Sequence, residues 1–320
     1  EEAQLADRLA AALAIVCCVP APTSPDETIL QSIRQMWGFE ALLPLQGDAI
    51  RAGIEQRDSL IVMPTGAGKS LCYQVPPLIT GRTDIVISPL IALMKDQVDG
   101  LHQTGYPAAA LHSGLDASEQ RAVKDRMNAG DIRLLFMSPE RIVRAESQEW
   151  LSRAGVSSFA IDEAHCISQW GHQFRPEYRQ LASLRGRFPE ASFHAYTATA
   201  TPRVRDDVVA QLALRNPRII VGSVDRPNLV YRIQPKNNPS AQVLEIIRRH
   251  PREAAIVYCL SRKETEKIAA ELIRQKVRAA VYHAGLTNQK RTAAQDLFDR
   301  EEIDVVVATV AFGMGIDRSN

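Results

Sequence analysis

Eight consecutive residues, Met63-Pro64-Thr65-Gly66-Ala67-Gly68-Lys69-Ser70, follow a short apolar run and lead into an amphipathic one. Gly66 and Gly68 let the backbone curl until successive amide hydrogens face one point. A helix beginning there adds the positive end of its dipole, Lys69 adds a full charge, and Ser70 offers a hydroxyl. This combination suits a polyphosphate: Thr65, Gly66, Ala67 and Gly68 cradle it, Lys69 meets its outer phosphates, and Ser70 holds Mg²⁺. The generic loop has glycine where Met63 stands. Further along, Asp162-Glu163-Ala164-His165 closes another apolar run. Asp162 suits direct or water-mediated contact with Mg²⁺, and Glu163 suits orienting and deprotonating an attacking water, with His165 beside them. Separately, these segments could be a ligand-free Gly-rich turn and a solvated acidic strand end next to a core histidine. Together they point to a nucleoside triphosphatase.

Such residues need a frame that delivers them to one edge. Short apolar runs recur at Ser59–Met63, Asp84–Ser88, Arg133–Ser138, Ser158–Asp162, Ser192–Thr197 and Arg218–Val221. Segments of helical period lie between several of them, such as Ala117–Asn128 and Arg203–Leu212. Continuous apolar strands separated by helices predict a parallel sheet covered on both faces, so the fold class is α/β. The alternation resumes with Ala255–Cys259, Ala279–Tyr282 and Asp304–Ala308, after a stretch rich in Pro and Asn. The expected organisation is an N-terminal extension over 1–25, a first domain over 26–222, a linker over 223–238 and a second domain over 239–320. In the parallel sheet, Asp162 stands at a strand's carboxyl end, where such sheets bind ligands.

The 320 residues exceed one ordinary core. Lys plus Arg number 38 against 37 Asp plus Glu, so a polyanion site must be a local patch of positive charge. Five cysteines, Cys17, Cys18, Cys72, Cys166 and Cys259, show no metal-ligand spacing, so neither zinc nor a disulfide framework is expected. The longest apolar stretch, Leu9–Val19, is far short of a membrane span. Glu1 and Glu2 precede it and Arg8 is the nearby positive charge, which favours a short helix over a signal peptide. The absence of an initiator methionine suggests a chain already cut at its start, and the whole reads as cytoplasmic with no membrane partner.

With both boxes in hand, the sequence resembles the RecQ family of DNA helicases, within superfamily-two helicases, from about Ile29 to Asn320. Trp37-Gly38-Phe39 followed by Gln46 is similar to that family's adenine-recognition motif, which implies Gln46 at the base edge and Phe39 packed nearby. Ser88-Pro89-Leu90-Ile91-Ala92-Leu93-Met94-Lys95 is similar to a motif that grips the nucleic-acid backbone through Ser88 and Lys95, with Ser138-Pro139-Glu140-Arg141 as its companion. On sequence alone, either could be an ordinary strand-to-helix turn with Pro at the helix start.

Cys166 to Tyr178 resembles the aromatic-rich loop between the acidic box and DNA. Trp170 and Phe174 offer flat faces for stacking on bases, and Arg175 adds a cation near the phosphates. Gln169 and His172 would relay DNA binding to the nucleotide. The alternative is that the two aromatics fill the core. Thr197-Ala198-Thr199 resembles the motif that couples hydrolysis to movement, against a plain helix N-cap before Pro202 as the rival reading. In the second domain, Ser261-Arg262 and Tyr282-His283-Ala284-Gly285 resemble nucleic-acid-facing motifs. The segment with Thr309, Gly315 and Asp317 resembles one facing both DNA and nucleotide.

The resemblance implies two tandem RecA-like parallel-sheet domains of the P-loop type, with ATP and Mg²⁺ as cofactors. It implies single-stranded and forked duplex DNA as partners, 3′ to 5′ translocation, and work in repair and recombination, nucleoid-associated if the source is bacterial. It also implies that the second domain is incomplete: the family continues past this point with arginine fingers, so the chain is expected to bind ATP and hydrolyse it poorly. Leu42-Leu43 stand where the family usually has Phe-Arg, and Gln173 where it usually has Asp. Two other readings stay open: an RNA-directed helicase of the same superfamily, and a nucleotide-dependent clamp that does not turn over. No residue pattern names a protein partner.

Overall fold

A computed structural model describes residues 25–309 except 90, 172, 173, 224, 226 and 227, together with Phe312. The short helix expected over Leu9–Val19 falls outside the described residues, as do His172, Gly315 and Asp317. The chain divides into two compact units, Glu1–Arg226 and Pro227–Asn320. The division falls within the stretch expected as linker.

The first unit holds strands β1 (Ser59–Val62), β2 (Asp84–Ile87), β3 (Ala108–Leu111), β4 (Leu134–Met137), β5 (Ser158–Ile161), β6 (Ser192–Thr197) and β7 (Arg218–Val221). They form one sheet in the order β3-β4-β2-β5-β6-β1-β7. Every pairing in it is parallel. Alternate residues of one strand serve opposite faces: Leu60 and Val62 join one apolar cluster with Ile85, Phe159 and Phe193, while Ile61 joins another with Val86, Phe136 and Tyr196. Both faces are therefore buried, which is why the strands read as unbroken apolar runs. The second unit repeats the pattern with β8 (Ala255–Tyr258), β9 (Ala279–Tyr282) and β10 (Val305–Ala308), all parallel in the order β8-β10-β9.

Several strands stop one residue before the apolar run does. The last residue of the run still takes one ladder bond before the chain turns: Met63 N donates to Thr197 O at 3.1 Å, Ser88 N to Met137 O at 3.1 Å and Asp162 N to Ile87 O at 2.9 Å. Strand β3 was not foreseen. Its Ala-Ala-Ala-Leu sequence has weak strand preference, and the edge of β4 imposes the extended form. Among the described residues no helix is long and apolar enough to cross a membrane.

His194, in β6, is buried between two hydroxyls, with Nδ1 2.8 Å from Ser59 Oγ and Nε2 3.0 Å from Ser192 Oγ. Burial, with help from the charges of Arg82 and Arg185, pushes its imidazole down from 6.5 to about 3. Below the ordinary value the unfolded chain takes up a proton that the folded chain refuses. This contribution is therefore complete above pH 6.5 and is lost as pH falls toward 3. Linkage gives a loss of about 2 kcal/mol between pH 7 and pH 5. The unfolding free energies of the native chain and His194→Gln should converge by that amount over this interval, measured by urea titration. Parallel pH profiles would refute it.

Candidate nucleotide and nucleic-acid site

Strand order determines which loops meet. β6 lies between β1 and β5, so the carboxyl end of β6 is flanked by the loop after β1 and the acidic box after β5. Thr197 touches both. Its carbonyl accepts from Met63 N at the root of the loop, and its Oγ1 lies 2.9 Å from His165 Nδ1. Thr197 Oγ1 donates to Thr199 O at 3.2 Å, so the proton in the His165 contact is carried by Nδ1. The same nitrogen lies 3.2 Å from Glu163 Oε2. A continuous polar chain thus runs from Thr199 through Thr197 and His165 to Glu163. Glu163 itself is held at φ 48, a left-handed conformation that turns the backbone sharply after β5.

The loop between β1 and helix Lys69–Thr80 has Gly66 at φ 81 and Gly68 at φ 68, both in the region that favours glycine. Thr65 is exposed, and Ala67, Lys69 and Ser70 are half-buried. Lys69 Nζ donates to Met63 O at 3.0 Å and to Pro64 O at 3.4 Å. Burial lowers its pKa, opposed by the charges of Glu163 and Asp162. Asp162 is pushed up to about 7, by burial first and by the neighbouring Glu163 charge second. For His165, burial opposes the charged form, but hydrogen bonds to Cys166 and Glu163 outweigh it and raise the group to about 9. Asp162 and Glu163 are hard oxygen donors whose charges reach Lys69, the neighbour of Ser70 in the chain, and this set fits a magnesium ion carried in with phosphates.

Gln46, expected at a base edge, is buried against the phosphate loop. Its Nε2 donates to Gly68 O at 3.1 Å and its Oε1 accepts from Leu43 N at 2.7 Å. Phe39 is 53% exposed and free to stack.

The aromatic segment leaves the acidic box through the 3₁₀ turn Ala164–Ile167. Trp170 is 58% exposed and Phe174 36% exposed, so neither fills the core. Gly171 is required for close approach, because a Cβ there would lie 2.5 Å from His165 O. Gln169 is exposed, and Arg175 donates from Nη1 to Pro89 O at 3.0 Å, tying this segment to the turn after β2. Lys95 is exposed on helix Ile91–Gln103.

Two expected nucleic-acid contacts, Ser88 and His283, have buried side chains. Ser88 Oγ has no hydrogen-bond partner, and its strand-end position turns it inward. His283 is held by Glu266 at 3.2 Å and by Gly285 N at 3.2 Å. In the second unit, Ser261 caps helix Arg262–Arg274 through Glu264 N, Arg262 is exposed, and Thr309 N donates to Tyr282 O at 3.2 Å. These residues gather at the carboxyl ends of β8, β9 and β10.

Sequence reasoning missed three contributors. The Arg203 guanidinium stacks 3.2 Å from the Trp170 ring centroid, Arg179 faces Phe174 at 5.5 Å, and Tyr178 OH donates to Asp162 O at 3.0 Å. Arg203 is separated from Trp170 by the whole of β6, so no spacing rule could pair them.

Comparison with known proteins matches the same two regions. Residues 43–208 fit the DEAD/DEAH box helicase family and residues 238–320 the helicase conserved C-terminal domain. The chain belongs to the DEAD/DEAH box helicases and, within them, to the RecQ family. It is similar to the ATP-dependent DNA helicase RecQ of Pasteurella multocida, with 44% identity over 294 residues, covering 92% of this chain and 46% of the relative. The RecQ helicase of Haemophilus influenzae is 43% identical over 293 residues, covering 92% and 47%. The chain therefore spans about half the length of the curated relatives it matches. Among solved structures, the helicase MrfA bound to DNA and AMPPNP superposes with a TM-score of 0.71 at 19% identity, over 93% of this chain and 45% of that one. The DEAD-box helicase Mss116 bound to ssRNA and UDP-BeF gives 0.69 at 19%, over 92% and 66%. The shared fold is the tandem RecA-like arrangement of parallel sheets.

Proposed function

We propose that this chain is the motor core of an ATP- and Mg²⁺-dependent DNA helicase that moves 3′ to 5′ on single-stranded DNA, opens forked duplexes, and serves repair and recombination. One observation carries the reading: the acidic box is joined on one side to the phosphate loop through Thr197, and on the other runs directly into two exposed aromatics. A nucleotide event and a nucleic-acid event can thereby reach the same carboxylate.

In this reading the amides of Gly66, Ala67 and Gly68 receive the phosphates, and Lys69 leaves the loop carbonyls to meet the outermost one. Ser70 and Asp162 would hold Mg²⁺, which when bound neutralises charge developing on the phosphate oxygens. Glu163 orients and deprotonates the attacking water, held in place by the proton on His165 Nδ1. Movement of Trp170 on a base shifts Cys166 and His165 within the same short segment, and the relay continues to Thr197 and Thr199. Gln169 and His172 belong to that relay. Lys95, Arg175, Ser261, Arg262 and Thr309 supply phosphate contacts, while Gly315 and Asp317 are proposed on the resemblance alone. The names of the RecQ relatives support DNA over RNA as the track.

The test is phosphate release and strand affinity with single-stranded DNA and RNA of matched length, beside Trp170→Ala. Aromatic stacking is worth roughly 1–3 kcal/mol per base, so the substitution should weaken DNA affinity about 5- to 150-fold. Unchanged affinity, or stronger stimulation by RNA than by DNA, would overturn the reading.

A further inference from the structure

Each exposed aromatic of the segment after the acidic box has an arginine against it: Arg203 Cζ stands 3.2 Å from the Trp170 centroid, and Arg179 Cζ 5.5 Å from that of Phe174. A guanidinium approaching the indole edge-on would put a nitrogen about 1.3 Å nearer the ring than Cζ, inside its van der Waals surface. Arg203 therefore lies flat on Trp170. Stacking uses the face of the guanidinium, and its N–H groups point outward in their own plane, past the edge of the ring. Arg179 is half-buried with its Nε enclosed, whereas Arg203 is exposed, so its donors reach solvent.

Local structure gives this cation no other role. Arg203 sits in the first turn of helix Pro202–Gln211, at the positive end of the helix dipole, where a cation is disfavoured. Asp207, four residues on and within helical reach, accepts from Gln211 instead. The Arg203 side chain has no ion pair or hydrogen bond among the described residues, so its charge is uncompensated. Trp170 remains 58% exposed with one face covered by the guanidinium, which leaves the opposite face open. The backbone beneath is fixed, since Trp170 N donates to Ser168 Oγ at 3.2 Å and Gly171 N to Ser168 O at 3.0 Å.

We propose that Arg203 is a nucleic-acid-binding residue: it seats Trp170 from one face so that a base of single-stranded DNA stacks on the other, and its outward N–H groups bind a phosphate of the same strand. A planar fork can stack and hydrogen-bond phosphate oxygens at once, which a point charge cannot. This inference rests on the nucleic-acid reading above and deepens it. Arg203 lies in the same connection after β6 as Thr197 and Thr199, while Trp170 lies in the segment that contains His165. The strand would thus engage both ends of the polar chain that reaches Glu163.

The experiment is binding of a fluorescently labelled oligothymidylate to the chain between about 50 and 200 mM salt, for the native protein, Arg203→Gln, Arg203→Lys and Trp170→Ala. Each phosphate contact on a single strand contributes about 0.7 to the slope of log affinity against log salt. Arg203→Gln should flatten the slope by that amount and weaken binding at least about 5-fold at 0.1 M salt, the effect of counterion release alone. Its thermal midpoint should stay at or above the native one, because a cation leaves the helix start. Arg203→Lys should keep the native slope and still bind more weakly, since an ammonium does not lie flat on the indole. A native slope in Arg203→Gln, whatever its affinity, would overturn the phosphate contact. Native affinity in Arg203→Lys would overturn the seating of Trp170. If Trp170→Ala binds as tightly as the native chain, the stacking reading itself falls; a loss there beside unaltered Arg203 variants would sink this inference alone.

Discussion

Glu163→Gln is expected to lower the single-turnover rate of phosphate release from ATP by about 10²–10⁴-fold, the contribution of a positioned general base. The amide keeps the shape and can still contact His165 Nδ1 through its oxygen, but it no longer accepts a proton from water. Nucleotide binding should persist, because the phosphate loop does not depend on that charge for its conformation. The left-handed turn at Glu163, φ 48, is compatible with either side chain, so the local fold is preserved. Quenched-flow phosphate release, beside equilibrium binding of AMP-PNP, separates the two effects. A variant that turns over at the native rate would remove Glu163 from the chemistry. One that loses binding in the same proportion would make it structural.

The second large effect lies at the opposite end of the sheet. Asp58 precedes β1 and is buried. Its Oδ1 accepts from Phe193 N at 2.9 Å, and its Oδ2 accepts from Arg215 N at 2.7 Å and from the Arg185 guanidinium. It therefore ties the amino ends of β1 and β6 to the segment leading into β7. Arg185 is itself buried and lies over the Phe193 ring at 4.1 Å. Asp58→Ala would strand that cation and orphan two backbone amides. Breaking a buried pair on one side costs about 3–5 kcal/mol. For a unit of this size each kcal/mol moves the midpoint by about 2–4 °C, so the first unit should melt roughly 10 °C lower. Calorimetry would resolve this, with Asp58→Asn intermediate because it keeps acceptors for the amides. A shift under about 2 °C for Asp58→Ala would show that the pair contributes no net stability.

The two predictions sit at opposite ends of the same strands, and this separates what sequence could and could not supply. Local order was legible. The Gly66–Ser70 loop, the acidic box and the apolar runs of β1, β2, β4, β5 and β6 are contiguous in the chain, and burial on both faces writes itself into each strand as an unbroken hydrophobic run. Family membership followed from the same contiguous motifs. Strand β3 escaped because three alanines carry little intrinsic preference, and a neighbouring edge decided their conformation.

Lateral order was not legible. Nothing in the spacing of Thr197 and His165 says that β6 stands between β1 and β5, and only that order brings His165 Nδ1 within 2.9 Å of Thr197 Oγ1. The same holds for Arg203 on Trp170 and for Asp58 beneath Phe193 and Arg215. Burial was also decided by the tertiary structure: it exposed Trp170 and Phe174, whose types suit core and surface equally, and enclosed Ser88, His283 and Gln46. By itself, then, the sequence determined which chemistry this chain carries and which elements hold it. The tertiary structure decided which groups share a hydrogen bond and which still face a ligand. The physical reason is that hydrogen bonds act over about 3 Å in space, while sequence motifs record only neighbours along the chain.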